Sequence, residues 1–193
     1  ILQSAINVFG SGTVAAFTAA SKVSNIATQT FPTLGTAMAT YCGQNLGAGK
    51  YERIYKGMRQ AFYLCFVAAA FAVMICCLIG PYMVGWFIKN PSAETMSAAM
   101  QYLHVISGFM IPLGWIFVYR NGLQGLDRGF VPMLSGVVEL LSRWVVIVLA
   151  AKPYGYLGVC FADPAAWLVT GIMLIIAYIV WKYKTVHSVT VTE

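Results

Sequence analysis

Four runs of this chain, residues 23–49, 60–88, 95–119 and 164–181, contain no charged residue. A helix needs roughly 20 mostly apolar residues to cross a hydrocarbon core about 30 Å thick, and each run is long enough or nearly so. A helix on the surface of a water-soluble core would carry a polar, charged stripe at the 3.6-residue period; these runs lack one. Composition agrees: of 193 residues 60% are hydrophobic and only 9% charged, whereas a soluble domain carries about a quarter charged residues to cover its surface. The chain is therefore expected to be an all-α, polytopic bundle of membrane helices.

The hydropathy and turn signals divide the chain into the end of one helix and five full spans, at roughly residues 1–9, 13–42, 58–79, 95–119, 132–151 and 164–181. Gly10-Ser11-Gly12 closes the first. Pro32 and Pro112 are candidate bends inside the second and fourth, since proline removes a helix hydrogen bond and clashes with the preceding turn. Ser92 is a candidate N-cap for the fourth span. The aromatic segment 82–88 suits a membrane interface. Ile1 opens inside an apolar stretch without a signal-type leader, so the chain is expected to be a fragment of a longer protein.

The net charge of +6 raises nucleic acid as a partner, but the basic residues sit between spans, where they encode topology rather than a binding face. Lys50, Arg53, Lys56, Arg59, Arg120, Arg128, Lys182 and Lys184 fall on one side if the helices alternate, against Lys89 and Lys152 on the other. The positive-inside rule then puts the C-terminus and the Lys50 loop in the cytoplasm. The five cysteines (Cys42, Cys65, Cys76, Cys77 and Cys160) have no metal-type spacing. No metalloprotease, nucleophile-elbow, phosphate-loop or dinucleotide motif is present, so no catalytic residue, metal or cofactor is expected.

The most specific string is 43–54, GQNLGAGKYERI: a helix end unwinding through glycines into a basic loop. Gly43, Gln44, Asn45, Gly47, Gly49 and Arg53 carry its pattern. The string resembles the loop after the second helix of each half in the multidrug and toxic compound extrusion (MATE) transporters. Residues 2–10 (LQSAINVFG), 121–127 (NGLQGLD), 138–143 (VELLSR) and 164–167 (PAAW) are similar to further segments of that family, in order. The resemblance implies the C-terminal lobe of a twelve-helix antiporter, from the end of helix seven to helix twelve. Two such lobes flank a cavity that opens alternately to either side. One branch of the family carries acidic residues in helices seven and ten of this lobe. Here residues 95–119 contain no carboxylate, so the coupling site for H+ or Na+ is expected in the N-terminal lobe.

Ionisable and amide groups within spans are costly and mark candidate sites. Lys22 lies about 15 Å down its helix at 1.5 Å per residue, and Asn25 and Gln29 follow at i+3 and i+7, making one polar face. That face either lines a cavity or holds a lysine that snorkels outward. Gln3 and Asn7, four apart, either line the cavity or bond between helices. Glu139 and Arg143 are spaced for an intramembrane ion pair. His104 reads as a packing residue and Asp163, before Pro164, as an N-cap.

The expected function is export of amphipathic organic cations in exchange for H+ or Na+, from the plasma (inner) membrane, with the N-terminal lobe and the lipid bilayer as partners. A lipid-linked oligosaccharide flippase of the same superfamily is the nearest alternative, and a non-transporting membrane assembly subunit is a further one.

Overall fold

A computed structural model describes residues 5–190, with side chains as far as residue 186. Among the described residues the structure consists of helices joined by short links, without strands. A 3-10 turn at Asn7–Phe9 leads through Gly10 into α1 (Ser11–Ala27) and α2 (Thr30–Gly47). Next come α3 (Tyr51–Met74), a π-helical stretch (Ile75–Ile79) and α4 (Gly80–Phe87), followed by α5 (Ala93–Ser107) and α6 (Met110–Gly125). The chain ends in α7 (Phe130–Cys160) and α8 (Ala162–Thr190).

Prolines explain several of the helix breaks, and at Pro32 and Pro112 the break lies one turn upstream of the ring. A proline ring collides with the carbonyl four residues earlier. For Pro32 that carbonyl belongs to Thr28, and Thr28-Gln29 is the link between α1 and α2. The expected single helix over 13–42 is thus two. For Pro112 the carbonyl is that of Gly108, and Gly108-Phe109 is the link between α5 and α6, which bend by 54°. Pro81 points back to Cys77, in the middle of the π-helical stretch, where the Gly80 N–H reaches Ile75 O across the widened turn. Pro153 precedes a further break: Gly155 takes φ 57° and ψ −136°, a conformation open to glycine. The chain doubles back there, and a Cβ on Gly158 would fall 2.1 Å from Ala150 O.

Three helices are long and apolar enough to cross a membrane: Tyr51–Phe87, Phe130–Cys160 and Ala162–Val186. There are four if the bent pair Ala93–Ser107 and Met110–Gly125 counts as one span. The first of these runs on either side of the expected 58–79, so the expected basic loop and interfacial segment are largely helix. α1 and α2 are not among the three or four: α1 has only 17 residues, and polar residues dilute the apolar content of α2.

α6 is the hub, packing against α2, α3, α7 and α8, while α1 rests on α5. Apolar burial drives little between helices in lipid, so small residues that let backbones approach take over. A Cβ on Gly125 would lie 2.2 Å from Ala39 O, and one on Gly35 2.9 Å from Phe117 O. Those two glycines fix the α2–α6 crossing. α7 makes the opposite use of its surface: Leu140, Leu141, Trp144, Val148 and Leu149 are all exposed, as a helix facing lipid requires.

Candidate functional site

A long polar face runs along one side of α1 and α2. Ser11, Thr18, Lys22, Asn25, Gln29, Thr33, Thr36, Thr40 and Gln44 are all exposed along α1, the link and α2. Their steps of three, four or seven residues follow the helical period, and the short link at Thr28-Gln29 lets the face continue from one helix to the next. Lys22, Asn25 and Gln29 therefore belong to a stripe of nine residues, three times as many as they mark alone. The threonines carry a signal in the sequence as well, since they recur at the same helical period.

The hydroxyls have a defined polarity. Thr18 donates to Val14 O (2.8 Å), Thr33 to Gln29 O (3.2 Å), Thr36 to Pro32 O (3.0 Å) and Thr40 to Thr36 O (3.3 Å). With each hydroxyl hydrogen used by the backbone four residues earlier, the groups present oxygen lone pairs outward. Asn25 and Gln29 add amide oxygens. The charge on Lys22 is engaged at the side: its Nζ lies 5.1 Å from the centroid of the Phe87 ring at the end of α4, a cation–π contact. Asn7 is exposed in the 3-10 turn, separated from the stripe by Gly10 (φ 90°). Gln3 lies outside the described residues. His104 is exposed on α5, not packed inside.

The glycine-rich string is mostly helix. Gly43, Gln44, Asn45 and Gly47 belong to α2 and Arg53 to the first turn of α3, so the loop proper is residues 48–50. Lys50 N–H donates to Asn45 O (2.8 Å) and Gly49 N–H to Leu46 O (3.0 Å), the two bonds of a Schellman end. Gly49, with φ +67°, supplies the left-handed residue that this end needs. Asn45 is buried and its Nδ2 donates to Tyr41 O (2.8 Å), and Tyr41 Oη donates across the turn to Arg53 O (3.0 Å). A Cβ on Gly43 would touch Gly125 O at 3.4 Å, whereas one on Gly47 would meet nothing within 4 Å.

Glu139 and Arg143 form their pair at 2.6 Å, within a longer chain of charges. Arg120 Nη2 reaches the other oxygen of Glu139 at 2.6 Å, and Arg143 Nε reaches Asp163 Oδ1 at 2.6 Å. Arg120 Nε also donates to Ser135 Oγ (2.9 Å). The carboxylate side chains are only 15% and 14% exposed, and their charges are matched one for one by arginines, which lowers the cost of holding them in the bundle. Two sequence expectations are corrected here. Asp163 lies within the first turn of α8 and binds Arg143 instead of capping the helix. Arg120, read as a residue of a loop, lies on helical α6 and faces α7. Contacts between residues 19 and 20 apart have no local sequence signature.

An all-helical bundle with membrane-length apolar helices and one polar outer face defines a membrane-embedded helical protein. The sequence model of the MatE family matches residues 1–149, and the chain belongs to that family. It is 29% identical over 146 residues to the probable multidrug resistance protein YpnP of Bacillus subtilis, covering 75% of this chain and 32% of that protein. To the probable multidrug resistance protein YoeA of the same organism it is 22% identical over 186 residues, 94% of this chain and 40% of YoeA. To the probable multidrug resistance protein NorM of Geobacillus kaustophilus it is 31% identical over 117 residues, 58% of this chain and 25% of NorM. The chain thus spans between a quarter and two fifths of the relatives it matches. No solved structure is significantly similar to it.

Proposed function

We propose that this chain is the C-terminal lobe of a secondary multidrug antiporter, with the α1–α2 stripe as its wall of the substrate cavity. The observation that carries the reading is the stripe itself. A continuous row of exposed hydroxyl and amide groups is unfavourable against lipid tails, so it calls for a water-filled cavity or a second lobe. Its outward lone pairs suit the N–H groups of amphipathic organic cations, and Lys22 is drawn aside onto Phe87. Membership of the MatE family and the multidrug-resistance names of the relatives support the same reading. The two lobes rock around the cavity in alternating access. Glu139 and Asp163 are each tied to arginine, which favours a coupling site for H+ or Na+ in the N-terminal lobe. The distribution of basic residues favours a C-terminus in the cytoplasm, and the plasma membrane is the site an exporter needs.

The test uses the complete protein in proteoliposomes, with ethidium efflux followed under a proton gradient and under a sodium gradient imposed separately. Efflux under one gradient is the expected result and identifies the coupling ion. Absence of efflux under both, with the protein folded and correctly inserted, overturns the reading in favour of a lipid flippase.

A further inference from the structure

A second polar feature lies where α3, α6 and α8 meet. Lys56 and Arg59 of α3 and Lys182 of α8 line one cavity of about 480 Å3 together with Tyr55, Tyr119 and Tyr178. Tyr119, from α6, forms the floor, because α6 packs against both α3 and α8. The aromatic contacts fix the frame: Tyr119 and Tyr178 have ring centroids 5.4 Å apart, and Tyr55 and Trp181 close the gap between α3 and α8 at 6.2 Å. Among the described residues none of the three cations forms an ion pair. Lys182 Nζ instead lies 4.7 Å from the centroid of the Tyr55 ring. Glu52 is the only carboxylate among the described lining residues, so the cavity has a surplus of positive charge.

What lies beyond the cavity distinguishes it from a site for a free anion. Lys56 and Arg59 share a helical face with Tyr63, Phe66 and Val67, and Lys182 shares one with Ile179 and Ile172. All five of those apolar residues are exposed. The groove therefore has a cationic, hydroxyl-bearing head and an apolar tail running along two membrane-length helices. That is the shape and polarity of a phospholipid molecule, and basic pockets between membrane helices are where anionic head groups bind.

We infer that this groove is a binding site for an anionic phospholipid, its phosphodiester held by Lys56, Arg59 and Lys182 and its acyl chains against α3 and α8. The tyrosine hydroxyls complete the head-group shell as hydrogen-bond donors. The site is separate from the polar stripe and does not depend on what that stripe binds.

The experiment takes the full-length protein purified in a mild detergent and titrates phosphatidylglycerol, phosphatidylcholine or inorganic phosphate. Bound lipid is read by native mass spectrometry and the melting temperature is read alongside. Phosphatidylglycerol is expected to remain bound and to raise the melting temperature, while phosphatidylcholine and inorganic phosphate do neither. The variant K56Q/R59Q/K182Q is expected to bind phosphatidylglycerol roughly 100-fold more weakly, and each single variant about fivefold more weakly. Replacing Lys89 and Lys152 by Gln should leave affinity unchanged, and K56R/K182R should retain it. Wild-type affinity in the triple variant, equal binding of phosphatidylcholine, or equal stabilisation by inorganic phosphate would each overturn the assignment.

Discussion

Arg120 Nη2 on α6 lies 2.6 Å from Glu139 Oε2 on α7, while the second oxygen of the same carboxylate accepts from Arg143 at 2.6 Å. One carboxylate thus joins two arginines and, through Arg143, reaches Asp163 on α8. Removing the shared member is the most damaging change. Glu139→Ala leaves both arginines short of a partner and is expected to cost about 2 kcal/mol. That is below the roughly 3–5 kcal/mol of fully buried pairs, because these arginines are 28% and 31% exposed. Arg120→Ala should cost less, since Glu139 keeps Arg143. The double variant Arg120→Ala/Glu139→Ala should cost less than the sum of the two, as coupled residues do. Equilibrium unfolding of the full-length protein in detergent measures all three, and strictly additive costs would show that the pair is not coupled.

The polar stripe makes a prediction of a different kind, on transport instead of stability. Thr36 and Gln29 are exposed and bond nothing beyond their own helix turn among the described residues. Gln29→Leu and Thr36→Val should therefore leave the fold intact while raising the apparent KM for ethidium efflux about fivefold each, the worth of one hydrogen bond near 1 kcal/mol. Val137→Leu, on the exposed apolar face of α7, should change nothing. An equal effect of all three, or no effect of the first two, would remove the stripe from the substrate path.

How much of this could be read from the sequence depends on distance along the chain. The pair Glu139–Arg143 was legible because i, i+4 neighbours meet on any helix. Arg120 and Asp163 were not, because their approach depends on how α6, α7 and α8 pack and on the reversal at Gly155. Lys22, Asn25 and Gln29 were legible as one face, but the continuation through Thr33, Thr36 and Thr40 depended on a link short enough to preserve the phase. Pro32 and Pro112 announced bends, yet each of those two breaks lies at the carbonyl the ring strikes, four residues upstream. The end of α2 shows a further limit: Gly43, Gly47 and Gly49 look alike in the string, and only the backbone angles and neighbours separate them.

Glycines in different surroundings can be told apart by a single methyl group. Gly125→Ala puts a Cβ 2.2 Å from Ala39 O, against a backbone that cannot swing away, and should cost about 2 kcal/mol or more. Gly49→Ala should cost roughly 1 kcal/mol, because φ +67° is unfavourable for a side chain. Gly47→Ala meets open space within α2 and should be neutral or stabilising by up to about 1 kcal/mol. Thermal melting of the three variants checks the order. A destabilising Gly47→Ala would mean that Gly47 contacts something outside this lobe.

The bend between α5 and α6 tests the proline argument directly. With Pro112 replaced by alanine, residue 112 regains an N–H for the Gly108 carbonyl, and the clash that holds the helices 54° apart disappears. Spin labels at Ser97 and Gln124, both exposed, report the change in a cysteine-free background. At 1.5 Å per residue, the 97–124 separation is about 36 Å when bent and about 40 Å when straight. Pro112→Ala should therefore shift the distance distribution outward by up to about 4 Å. If the bend is the element that flexes during alternating access, the same variant should slow efflux while leaving the KM for ethidium unchanged. An unaltered distance distribution would place the cause of the bend in the packing of α6 against α2 and α3, and not in Pro112.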